Sequence, residues 1–137
     1  MSAKDVLTGM CAAFGRGRAA RTDDWKRRLA VRVEQRPAAT ILHVEGELKY
    51  EQARTMSRAV DQLWRTHPQR IVVNLEKCTF MDTSGVAMLL TARQEAQERG
   101  ANLVLVALHP QVRDVLELSR VITRFETRAT LEDALRD

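Results

Sequence analysis

An α/β fold built on a mixed, mostly parallel sheet is predicted by three observations. Two short apolar runs (Ile71, Val72, Val73, Leu75 and Leu103, Val104, Leu105, Val106) have the length and β-branched content of buried strands. Longer stretches between them repeat apolar residues at helical spacing. Strand and helix signals alternate along the chain, which favours parallel neighbours with helices packed on the sheet.

The elements follow in order. Leu29, Val31 and Val33 alternate with polar residues and form a first strand. Arg36-Pro37 marks a turn, and residues 40–48 form a second strand, so the pair is a β-hairpin. From Tyr50 the period changes: Ala53, Met56, Val60, Leu63 and Trp64 share one face of an amphipathic helix that His67-Pro68 ends. The strand over 71–75 comes next and leads to a polar cluster, Asp82-Thr83-Ser84-Gly85. A helix then runs from about Ser84 to Arg99, with Gly100 as its left-handed terminator. After the strand over 103–107, Pro110 opens a helix to Ser119 with Val112, Val115 and Leu116 inward. Residues 121–125 are expected to be a short extended piece. Thr130 and Asp133 have capping-box spacing and open a last short helix, which gives about four helices.

Composition bounds the rest. The 137 residues are 45% hydrophobic but only 4% aromatic, which suits one domain with an aliphatic core. No apolar run is long enough to span a bilayer, and no secretory signal precedes the domain. Cys11 and Cys78 lie far apart and read as free thiols of a cytoplasmic protein. Residues 1–28 hold seven basic and three acidic side chains, the whole of the formal +4. Everything after residue 28 therefore balances to zero, and direct nucleic-acid binding is not expected of the globular part. Residues 1–24 read as a basic leader, disordered or with a short helix over 5–14, and residues 25–137 as the folded domain.

The polar cluster is the place for function. A helix start offers free N–H groups and a partial positive charge, where a phosphate is well tolerated. The plain structural alternative is that Asp82, Thr83 or Ser84 caps the helix. Gly85 points to a close backbone approach. Met81 and Val86 flank the cluster and, if exposed, give it an apolar centre for docking. Other chemistries lack support. Ser84 is not in a Gly-x-Ser-x-Gly context, and His43, His67 and His109 form no triad pattern. The scattered histidines and lone Cys78 suggest no metal site, and no phosphate-cradling glycine loop is present, so no cofactor is expected. His43 reads as a packed or surface imidazole and Cys78 as a buried filler.

Five runs follow in order: Val44-Glu-Gly-Glu-Leu48, Ile71-Val-Val-Asn-Leu75, Phe80-Met-Asp-Thr-Ser-Gly-Val86, Ala101-Asn-Leu-Val-Leu-Val106 and Val112-Arg-Asp-Val-Leu-Glu-Leu118. Together they resemble a STAS domain, the fold of bacterial anti-sigma factor antagonists and of the cytoplasmic tails of sulfate transporters. The resemblance implies a partner switch and not an enzyme. An anti-sigma factor that is also a serine/threonine kinase would phosphorylate Thr83, with Ser84 as fallback. Only the unmodified form would bind it, and a phosphatase would reset the cycle. Lys49, Met81, Asp82, Thr83, Ser84, Gly85 and Val86 are the implied partner interface. Lys49 stands where many family members carry an acidic residue, and Thr83 where serine is commoner. Both departures keep open a second role, the STAS subunit of a bacterial phospholipid-trafficking ABC transporter, touching its ATPase. A third is a module binding a small anion or lipid through Lys49.

Overall fold

The computed structural model describes residues 29–136. The expected leader and its helix over 5–14 lie outside the described residues. Among the described residues, six strands and four helices follow one another as β1 (Ala30–Gln35), β2 (Thr40–Leu48), α1 (Ala53–Trp64), β3 (Arg70–Asn74), β4 (Cys78–Met81), α2 (Thr83–Glu98), β5 (Asn102–Val106), α3 (Pro110–Leu118), β6 (Glu126–Arg128) and α4 (Leu131–Arg136). The sheet order is β1-β2-β3-β5-β6, with β4 paired to β2. Only β1 and β2 are antiparallel; their turn closes with Arg36 N–H to Ala39 O at 2.9 Å. All other pairs are parallel.

Strand alternation divides the core in two. Leu42, Val44, Ile71, Val73, Leu103 and Leu105 meet α1, α2 and α3 on one face. Ile41, Val72, Val104 and Val106 meet α4 through Ala134, with Leu131 and Leu135 packed alongside. The α1 face buries Met56, Ala59, Val60, Leu63 and Trp64, matching the helical period read from the sequence.

Helix ends follow the chemistry of their residues. Gly100 adopts φ 72° after α2, and Ala101 N–H reaches back to Ala96 O at 2.8 Å. Pro110 opens α3. Thr130 Oγ1 accepts Asp133 N–H at 3.1 Å at the start of α4.

Two expectations need correction. The segment expected to be extended over 121–125 contains a 3-10 turn, Ile122–Arg124, and the strand begins only at Glu126. Just past α3, Arg120 adopts the left-handed region (φ 60°), and Val121 N–H returns to Leu116 O at 3.1 Å. Burying Val121 and Phe125 on either side of the turn then folds the chain back before it can pair. Strand β4, inside the motif, is absent from the sequence reading. After β3 the chain leaves the ladder at Leu75, turns, and rejoins β2 with Cys78 opposite Gly46, the pairing shifting register between Gly46 and Glu47. Gly46 takes φ 108° there, a conformation open to glycine.

Candidate functional site

The ends of β2 and β4 meet the start of α2, and Asp82 joins all three. Asp82 caps α2: its Oδ1 accepts Gly85 N–H at 3.0 Å. Its Oδ2 accepts Tyr50 N–H at 3.3 Å, and its own N–H donates to Leu48 O at 3.2 Å. The cap is therefore aspartate and not either hydroxyl. Thr83 is the first residue of the sixteen-residue helix and is exposed; Ser84 is half-buried.

Gly85 permits this junction. A Cβ at this position would lie 2.7 Å from Leu48 O and 2.6 Å from Met81 Cγ, so the helix start approaches β2 closer than any other residue allows. Behind the site, Gln111 of α3 braces β4. Its Oε1 accepts Met81 N–H at 2.9 Å and its Nε2 donates to Met81 O at 3.2 Å. The amide acts as an extra bridge partner for a strand end.

Lys49 lies on the rim. Its Nζ is 2.9 Å from Glu47 Oε1 and 5.8 Å from the centroid of the Phe80 ring. The hydrogen bond and charge of Glu47 hold its ammonium above the ordinary lysine value, with smaller help from Glu51 and Asp82.

The structure thus brings Lys49, Asp82, Thr83 and Ser84 to one rim. The apolar docking centre expected of Met81 and Val86 needs correction: they are 0% and 4% exposed. Both side chains point into the core, and Gly85 is buried beside them. The exposed surface there is instead Tyr50, 74% exposed, with Thr83, Ala87 and Thr91 at successive turns of α2. No charged residue interrupts α2 from Thr83 to Ala92. Tyr50 and Gln111 escaped the sequence reading. Tyr50 directly follows Lys49 at a helix start, which is a signal for position. A lone glutamine after Pro110 carries none.

His43 is buried on β2, away from this rim. Its Nδ1 accepts from the Asn74 side-chain amide at 3.1 Å, so Nε2 carries the proton toward Glu34 Oε1 at 2.7 Å. Asn74 is itself oriented by Glu76 N–H donating to its Oδ1 at 3.2 Å. His43 is thus a satisfied structural imidazole. Cys78 is free and buried, and burial pushes its thiol up to about 11. Among the described residues no group of three His, Cys, Asp or Glu side chains could hold a metal ion. Among the same residues no helix is long and apolar enough to cross a membrane.

The STAS domain family matches residues 30–134, most of the chain. The chain belongs to the STAS domain family. Among relatives of this STAS chain, an anti-sigma F factor antagonist of Paenibacillus polymyxa is 24% identical over 92 residues, covering 66% of this chain and 79% of its own. The structure of an anti-sigma factor antagonist from Mycobacterium paratuberculosis superposes with a TM-score of 0.72 at 22% identity, over 81% of this chain and 97% of that one. The Bacillus cell fate determinant SpoIIAA in its phosphorylated form gives a TM-score of 0.56 at 24% identity, over 78% of this chain and 97% of its own. At these identities the structural likeness fixes the fold.

Proposed function

We propose that this STAS protein is an anti-sigma factor antagonist-like partner switch, acting in the cytoplasm and controlled by phosphorylation of Thr83. Its unmodified form binds an anti-sigma factor that is also a serine/threonine kinase. Phosphorylation ends the binding, and a phosphatase restores it. The chain is the substrate of both reactions and catalyses neither. The observation that carries this reading is the exposed Thr83, the first residue of α2, while Asp82 does the capping. The names of the relatives, antagonists of anti-sigma factors and one protein seen phosphorylated, support the same reading.

The physics is local. A phosphate adds about −1.5 to −2 charges at pH 7. The free N–H groups of the helix start accommodate it, so the fold need not change. A partner seated on Tyr50, Thr83 and Ala87 would have to bury that charge unpaired, a penalty of several kcal/mol. Ser84, half-buried, is the weaker acceptor.

The test is incubation with copurifying kinase and ATP, with mass spectrometry to map the modified residue. Thr83→Ala should keep partner binding and Thr83→Asp should lose it. Equal binding by both variants overturns the switch. Recovery of a transporter ATPase with either variant would favour the ABC-transporter role instead.

A further inference from the structure

Beyond the bulge, Glu47 lies opposite Phe80 and Leu48 opposite Met81 in the parallel β2–β4 ladder. Leu48 and Met81 are buried, so alternation turns Glu47, Lys49 and Phe80 to the other side. There the Lys49 ammonium lies 2.9 Å from the Glu47 carboxylate and 5.8 Å from the centroid of the Phe80 ring. Both residues flanking Lys49 are tied to Asp82: Leu48 through its carbonyl and Tyr50 through its N–H. Asp82 directly precedes Thr83. Lys49 is thus next in the chain to both backbone groups that hold Asp82, and its flexible four-carbon stem gives the ammonium reach toward position 83.

We propose that Lys49 is the receptor within this chain for a phosphate on Thr83, leaving Glu47 to take it; the inference rests on the phosphorylation proposed above. The exchange is favourable in direction. The Lys49–Glu47 pair has side chains 38% and 25% exposed, and an exposed pair of single charges is weak. A phosphate offers nearly twice the charge and three acceptor oxygens. Glu47 is then released as a lone carboxylate. Modification thus rearranges charge at three positions, and a docking partner meets new negative potential on β2 as well as on α2.

The test installs phosphothreonine at position 83 by genetic encoding, so no kinase is needed. The second ionisation of the phosphate, near 6 in a free phosphothreonine, is followed by ³¹P NMR in wild type, K49Q, K49R and E47Q. Wild type should titrate below K49Q by about 0.5 pH unit or more in low salt, and the gap should narrow at high salt. K49R should restore the wild-type value, and E47Q should fall below it, because Lys49 is no longer shared. A merely structural lysine would not move the phosphate's titration in a folded protein, and thermal melts of each variant check folding. Coincident titrations of wild type and K49Q overturn the inference. A kinase assay that never modifies Thr83 would instead sink the partner-switch reading and leave these titrations standing on their own.

Discussion

Gly85→Ala is the most direct test of how the site is built. The added Cβ would sit 2.7 Å from Leu48 O, roughly 0.7 Å inside the 3.4 Å of ordinary contact. Its other close neighbour, Met81 Cγ at 2.6 Å, belongs to a flexible side chain but one that is fully buried. The carbonyl cannot retreat cheaply, because it accepts Asp82 N–H at 3.2 Å. Overpacking of this kind destabilises by about 1–3 kcal/mol. Replacing glycine by alanine in a helix returns up to about 1 kcal/mol. The net expectation is a loss of about 1–2 kcal/mol, or a fall in Tm of about 4–8 °C for a domain of this size. Urea and thermal denaturation measure it. Hydrogen exchange adds a local readout: the Asp82 and Tyr50 amides should lose protection before the rest of the sheet. A variant that melts at or above wild type, with both amides still protected, would refute the close-approach argument.

Three further outcomes are expected. Gln111→Ala strips the Met81 N–H and carbonyl of their side-chain partners, and should cost about 1–3 kcal/mol in urea denaturation. Glu34 is held below its ordinary 4.5, first by the Arg36 hydrogen bond and then by that of His43. A carboxyl lowered by folding stabilises above its unfolded value, and that contribution drains away as pH falls below about 4.5. Its partial exposure keeps the effect small. Glu34→Gln should therefore flatten the acid limb of the stability curve, and an unchanged limb would exclude the pair as its source. Cys78, followed in a Cys11→Ser background, should resist a thiol reagent at pH 8 until the protein is unfolded in urea, because burial keeps its thiol protonated.

Much of the fold was legible because its signals are local. The α1 stripe from Met56 to Trp64 follows from spacing within one helix, and the terminator Gly100, Pro110 at the start of α3 and the Thr130 cap each follow from one residue's own chemistry. Strand β4 was not, because Cys78–Met81 is four residues long and becomes a strand only by meeting β2 across the irregularity at Gly46/Glu47. Its inward residues, Cys78 and Met81, do not alternate evenly, so no period betrays it. Strand β6 fails for a related reason: Glu126, Thr127 and Arg128 are all half-buried, and pairing with β5 alone defines them. Within the site, the sequence placed Asp82 and Thr83 together but could not say which neighbours faced out. Met81 and Val86 are apolar and turn inward, while Tyr50 comes to the rim from a different strand end. Reading a surface requires knowing which elements cover which faces, and that is tertiary information.

The backbone of the junction around Thr83 is held at several points, while the Thr83 side chain is exposed. Asp82 is held by Leu48 on one side and holds Tyr50 on the other, and its own carbonyl accepts Val86 N–H at 3.1 Å. Gln111 pins the preceding residue from behind. Gly85 lets the helix start lie against β2 without a gap. A group added to Thr83 therefore has little leverage on the backbone, and on the proposed reading control must act through the potential and hydration of the rim. Such control divides into two parts. Coulomb repulsion between the phosphate and a partner's surface weakens with salt. The penalty for burying an unpaired dianion persists, because it comes from lost hydration. Discrimination between the two forms should thus decline in high salt without vanishing. A discrimination that disappeared entirely would mean that the partner senses net charge at a distance and does not seat on Thr83 itself.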